Sequence, residues 1–253
     1  MALIGAAHGG AWPVKPGSGK ATLGASYLPA ESYSNPVGRL RTYGMRQFGL
    51  STYGETGLSP KVAMGWNWGF FKGVFSDSAD GIGATDPELS LSWHAGRWGK
   101  TFFALQAIVQ IPLGPSTPAG VPEGAPAFFS HRVLSFELHP VAGWSGGSWW
   151  LQGGLGGRAR TGELAWQGRY ALAAGKRLSD RFAAMLAMDG VVPLDDRASG
   201  KRGDQEGYYG WHLAMEFRIK GDWWAGTQFD SMLDKGREMP IGPRLNVYSR
   251  IGW

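Results

Sequence analysis

The sequence predicts an all-β protein: a transmembrane antiparallel up-and-down β-barrel of about 12 strands, placed in a bacterial outer membrane. Three observations predict it. Apolar residues alternate with small or polar ones at period two, in runs of about ten residues. Short and long connections alternate between those runs, save near 161–163, where a short connection stands in place of a long one. Tryptophan gathers beside the short connections.

Composition narrows the choice first. The chain has 253 residues, with 41 Gly, 13 Trp and no Cys. An aromatic content of 13% argues against disorder. Gly shows no three-residue period, which excludes collagen. The missing Cys removes disulfides, thiol nucleophiles and Cys-based zinc sites together. The best candidate for a spanning helix is the stretch 102–113, which is too short and holds Gln106, Gln110 and Pro112. A chain of this kind enters a bilayer only as a closed barrel, because the backbone of an open sheet leaves polar groups unsatisfied in lipid.

Residues 1–10, MALIGAAHGG, look like the tail of a secretory signal peptide, with a small-x-small pattern at Ala7-His8-Gly9 but no basic start. We therefore expect a signal remnant over 1–9 and a single barrel over 10–253. The segment with Pro13, Pro16 and Gly17 is extended and free to tuck into the periplasmic mouth.

The predicted strands fall near 19–28, 46–56, 61–75, 87–96, 100–112, 132–143, 149–160, 164–176, 181–192, 208–219, 223–233 and 244–253. Each is justified by alternation. In 61–70, Val62, Met64, Trp66, Trp68 and Phe70 share one face, opposite Ala63, Gly65, Asn67 and Gly69. In 88–94, Leu89, Leu91 and Trp93 oppose Glu88, Ser90, Ser92 and His94. In 209–219, Tyr209, Trp211, Leu213, Met215, Phe217 and Ile219 oppose Gly210, His212, Ala214, Glu216 and Arg218. Runs of about ten residues exceed the common globular strand and suit a tilted membrane strand. A soluble sandwich or barrel also alternates, but its outer face is charged. Here the second face is Gly, Ala, Ser, Asn, Gln, His and Arg.

Short connections fall at Gly57-Leu58-Ser59-Pro60, Arg97-Trp98-Gly99, 144–148, 177–180 and Lys220-Gly221-Asp222; long ones fall at 29–45, 76–86, 113–131, 193–207 and 234–243. Short periplasmic turns and longer external loops mark outer-membrane barrels. Trp98, Trp144, Trp149, Trp150, Trp223 and Trp253 then form an aromatic girdle at the periplasmic edge, and Tyr27, Phe70, Phe71, Phe75, Tyr208 and Tyr209 lie near the external one. The final strand, RLNVYSRIGW, puts Leu245, Val247, Ile251 and Trp253 on one face and ends on an aromatic residue. That ending resembles the signal read by the barrel-assembly machinery, an expected partner along with outer-membrane lipid and lipopolysaccharide.

The inward face defines what the lumen holds. Glu137, His139, Arg158, Arg160, Arg169, His212, Glu216 and Arg218 are the lumen-lining candidates, with Glu55, Gln152 and Arg250 on the same face. Arg158, Arg160 and Arg169 form either a basic wall that attracts anions or ion pairs with Glu137 and Glu216 that fill the barrel. Ser92 beside His94, and Ser135 or Glu137 beside His139, resemble fragments of a catalytic arrangement, but no nucleophile motif accompanies them. We predict no catalytic residue, no metal site and no cofactor. The net charge of +5 is spread over turns, loops and lumen without a basic helix, so nucleic acid is not an expected partner.

The start GAWPVKPGSGKATLGASYLPA, the segment FGLSTYGETGLSPKVAMGW and the segment GIGATDPELSLSWHAGRWGKTFFALQAIVQIPLG resemble the outer-membrane proteins of the meta-pathway of phenol degradation over roughly residues 10–114. The chain departs from that family in a longer Pro-rich third loop, 114–129. The resemblance implies a barrel that acts as a channel or passive transporter for small, hydrophobic or aromatic molecules, and it carries over no site residue. The rival expectation is a structural barrel that anchors an envelope-spanning machine for motility or polysaccharide export, with envelope proteins as partners.

Overall fold

The structure, a computed structural model, describes residues 10–34, 40–76, 80–115, 133–161, 166–194, 208–234, 240–241 and 243–253. The expected signal remnant and most of the Pro-rich third loop lie outside the described residues. The strands are β1 (Gly19–Ser34), β2 (Leu40–Ser59), β3 (Val62–Ser76), β4 (Asp80–Gly83), β5 (Glu88–Trp98), β6 (Thr101–Gln110) and β7 (Ser135–Gly146). They continue as β8 (Trp149–Arg160), β9 (Gln167–Arg177), β10 (Phe182–Pro193), β11 (Tyr208–Lys220), β12 (Trp223–Asp234), β13 (Pro240–Ile241) and β14 (Pro243–Gly252). Twelve are long staves; β4 and β13 are short additions of 4 and 2 residues on the neighbouring staves β3 and β1. Each stave pairs antiparallel with the next in sequence, and β1 pairs with both β14 and β2, which closes the barrel so that none of the twelve staves is an edge strand.

The register follows the predicted alternation. On β5, Leu89, Leu91 and Trp93 are exposed on the outside, while Glu88, Ser90, Ser92 and His94 are buried inside. The same holds on β11 for Trp211, Leu213 and Met215 against His212 and Ala214. Exposed positions are thus Leu, Phe, Met and Trp, and buried ones include Gln106, Glu137, His212, Gln228, Asp230 and Asn246. This inverts the rule for a protein in water, where large apolar side chains are buried and charges are not. It is the arrangement of an outer-membrane barrel, with a greasy belt outside and a polar interior.

Several details depart from the sequence reading, among them the short strands β4 and β13 inside the expected loops 76–86 and 234–243. The expected loop 29–45 is mostly a hairpin extension, since β1 and β2 stay paired out to Ser34 and Leu40. A bulge on β3 between Trp68 and Phe71 puts an extra residue against β2, so Phe70 and Phe71 are both exposed and the inward face continues through Lys72 and Val74.

The end with the short turns is the periplasmic end of such barrels. Its two-residue turns at Gly99-Lys100, Gly147-Ser148 and Gly221-Asp222 each begin on a glycine with positive φ, at 59, 61 and 53°. That conformation matches the twist of the paired strands and is costly for other residues.

Candidate functional site

The lumen is the large concave surface that a closed barrel offers, and among the described residues three arrangements occupy it. The first is the segment before β1. Residues 10–18 fold back into the periplasmic mouth. Pro16 bridges to Gly57 in parallel, Gly17 N–H donates to the Gly57 carbonyl at 3.0 Å, and Gly57 N–H donates to the Ser18 carbonyl at 3.0 Å. From there the chain crosses the lumen. Ala11 is fully buried, and its carbonyl accepts a hydrogen bond from His94 Nδ1 on β5 at 3.2 Å. The Trp12 ring meets Trp150 of β8 edge-on, with centroids 6.1 Å apart. Glycine makes this passage possible. An added Cβ on Gly143 would lie 2.8 Å from the Ala11 Cβ, and one on Gly57 would lie 2.4 Å from the Lys15 carbonyl oxygen.

The second arrangement is a charge cluster on the β7–β9 wall toward the external end. Glu137 accepts hydrogen bonds from Arg158, from Arg169 Nη1 at 2.7 and 2.8 Å, and from His139 Nε2 at 2.9 Å. Arg158 also faces Glu88 of β5 at 3.9 Å, and Glu88 accepts from Asn67 Nδ2 at 2.9 Å. Arg158 and Arg169 therefore pair with a carboxylate and do not stand as a bare basic surface. Glycine again supplies the room: the His139 ring lies 2.5 Å from where a Cβ on Gly156 would be.

The third arrangement runs across β10, β11, β12 and β14. His212 is fully buried, with Nδ1 2.9 Å from Asp230 Oδ1 and Nε2 against Asp189 Oδ1. Asp230 also accepts from Asn246 Nδ2 at 2.7 Å and from Gln228.

Between the N-terminal segment and the wall lies a cavity of about 600 Å³ in the periplasmic half of the lumen. Trp12, Pro13, Trp150 and Met185 give it apolar sides, and Tyr53, Tyr248, Lys20, Glu55, Glu216 and Arg250 give it a polar one. Lys20 Nζ lies 3.0 Å from Glu55 Oε1. Arg250 donates from Nε and Nη2 to Glu216 at 3.2 and 2.7 Å. The Tyr248 ring covers Gly226, at 2.4 Å from a Cβ there, and its hydroxyl reaches Glu216 at 3.3 Å.

All eight lumen-lining candidates lie on inward strand positions. Glu137, His139, Arg158 and Arg169 come together in one cluster, and Arg160 is buried at the external end of β8. His212 belongs to the third arrangement, Glu216 lines the cavity, and Arg218 stacks on Trp224. Among the described residues, none of His94, His139 and His212 hydrogen-bonds to a serine. Trp98, Trp149, Trp223 and Trp253 are exposed outward beside the short turns, and Trp144 is half-buried there. Trp150 is a correction. It turns into the lumen, where its ring lies over Gly175, 2.1 Å from a Cβ there. Trp149 and Trp150 are consecutive on one strand, so only one of them can face lipid. Trp223 and Trp224 divide in the same way. Lys20, Asp189 and Asp230 were absent from the candidates. Parity with Ala187 on β10 and with Gln228 on β12 is the signal that assigns both aspartates inward.

No protein-family model and no curated protein matches the chain. Solved structures do. The COG4313 outer membrane channel from Pseudomonas putida F1 superposes with a TM-score of 0.71 at 11% identity, over 98% of each chain. The KdgM porin, solved in complex with disordered oligogalacturonate, gives a TM-score of 0.58 at 4% identity, over 92% of this chain and 99% of the porin. The NanC porin gives 0.56 at 7% identity, over 92% of this chain and 98% of the porin. The chain thus has the fold of outer-membrane β-barrel channels and porins.

Proposed function

We propose that the protein is an outer-membrane channel that passes small molecules, hydrophobic or aromatic ones among them, through the lumen of its barrel. The observation that carries this reading is the cavity of about 600 Å³ enclosed between the N-terminal segment and the barrel wall. Its volume falls in the usual range for a small-molecule site, and its mixture of apolar walls with a few convergent polar groups is what such sites share. The fold supports the reading, because the superposed structures are those of an outer-membrane channel and of porins. The N-terminal segment narrows the mouth without covalent attachment to the staves it crosses, so its displacement widens the path. Proteoliposomes made with the purified barrel test the proposal. Uptake of phenol and benzyl alcohol faster than into protein-free liposomes is expected; equal rates for folded, inserted protein overturn it.

A further inference from the structure

Among the described inward strand residues of the periplasmic half of the lumen, three cations face two carboxylates. Lys20, Arg218 and Arg250 point inward there, on β1, β11 and β14, with Glu55 and Glu216 among them. Each carboxylate is already engaged. Glu55 takes Lys20 Nζ at 3.0 Å and the Tyr53 hydroxyl at 3.2 Å. Glu216 takes Arg250 through two nitrogens and the Tyr248 hydroxyl. Among the described residues, Arg218 has no carboxylate partner. Its guanidinium lies 4.8 Å from the Trp224 ring centroid, Arg250 lies over the same ring at 5.4 Å, and Arg218 Nε is buried without a hydrogen-bond acceptor. The register explains the meeting, since Trp224 of β12 pairs directly with Arg218 on one side and Arg250 on the other. One indole therefore carries two guanidinium groups, one of which lacks a counter-ion. Donors remain available as well. Arg250 spends Nε and Nη2 on Glu216 and keeps Nη1, and Lys20 spends one of its three N–H donors on Glu55. Lys20 and Arg250 both line the cavity and are diagonal neighbours across the β1–β14 pair, where Arg250 opposes Thr22 and Lys20 opposes the small Gly252.

We propose that this cavity is a binding site for a small monocarboxylate with an apolar body. The body lies among Trp12, Trp150 and Met185, and the carboxylate takes the free donors of Arg250 and Lys20. Lys20, Glu55, Glu216 and Arg250 balance within the cavity lining, so the preference for an anion comes from the unspent N–H donors of Arg250 and Lys20, with Arg218 adding positive charge beside the site through the Trp224 ring that it shares with Arg250. The site disfavours a cation, for which both carboxylates are already occupied. The inference rests on the channel reading above and adds the charge of the solute to it.

Calorimetric titration of the detergent-solubilised protein with three probes of one shape tests it: 3-phenylpropionate, 3-phenylpropionamide and 3-phenylpropylammonium. The acid is expected to bind about tenfold tighter than the amide, the effect of a charge-assisted hydrogen bond of about 1.4 kcal/mol, and the ammonium weakest of the three. Arg250→Gln and Lys20→Gln should each remove most of that preference, weakening the acid several-fold more than the amide, with folding checked by heat-modifiable gel mobility. Lys20 is the milder change, because its side chain is 30% exposed. Equal affinity for acid and amide, preference for the ammonium, or no binding of any probe overturns the inference. A barrel that conducts ions in a bilayer but shows no acid preference refutes this proposal alone; one that binds the acid but never conducts refutes the channel reading alone.

Discussion

Arg169 on β9 reaches across β8 to Glu137 on β7, and a single Nη1 donates to both carboxylate oxygens, at 2.7 and 2.8 Å. Arg158, on the strand between, binds the same carboxylate. One buried anion therefore holds two guanidinium groups together. Glu137→Gln leaves two cations side by side in a confined interior, and removing one member of a buried ionic group costs about 3–5 kcal/mol. Equilibrium unfolding in lipid vesicles should show that loss. A cost below about 1 kcal/mol, the size of an exposed pair, would mean that water solvates the cluster.

The same cluster sets the sign of the potential on its wall. Replacing Arg158 and Arg169 together by Glu converts two positive positions into two negative ones beside Glu137. Rings of lumen charge govern which ions pass. The reversal potential measured across a salt gradient should therefore shift toward cation preference. An unchanged reversal potential would show that ions do not pass this wall.

Several inward or strand glycines serve as slots under aromatic rings. The Trp150 indole lies 2.1 Å from a Cβ on Gly175, and the Tyr248 ring lies 2.4 Å from one on Gly226. Gly175→Val must push the indole toward Trp12 and the cavity. Overpacking of this kind costs about 1–3 kcal/mol, which should appear as a lower temperature for the shift in heat-modifiable gel mobility. An unshifted transition would mean that the ring has room to move.

The outer face makes its own prediction. Leu213 projects from the middle of β11 and is 46% exposed. Leu213→Arg should destabilise the folded barrel in bilayers by about 2–4 kcal/mol, the cost of a cation near the bilayer midplane. A neutral outcome in the same unfolding assay would place this face in water.

Legibility in the sequence followed the range of the interactions. Alternation is a local property, so the inward Glu88, Ser90, Ser92 and His94 could be assigned from β5 alone. The end of the β1–β2 hairpin could not, because Pro29 and the polar run after it break the alternation although the strands stay paired to Ser34 and Leu40. The bulge at Phe70 and Phe71 was hidden for the same reason: two adjacent aromatics read equally well in either register. Trp150 was assigned by its nearness to a turn when its parity already turned it inward. The pairing of Arg169 with Glu137 depends on the register of three strands, and the seating of Ala11 against His94 joins residues 83 apart in sequence. No local pattern encodes either one.

The central claim is that the lumen is a path. Planar-bilayer recording of the purified protein tests it most directly, on the wild type and on Gly57→Val. The valine Cβ falls 2.4 Å from the Lys15 carbonyl oxygen and must push the N-terminal segment out of the mouth. Discrete conductance steps from the wild type, larger in Gly57→Val, are the predicted result. Folded, inserted protein that never conducts, with or without the substitution, would contradict the account.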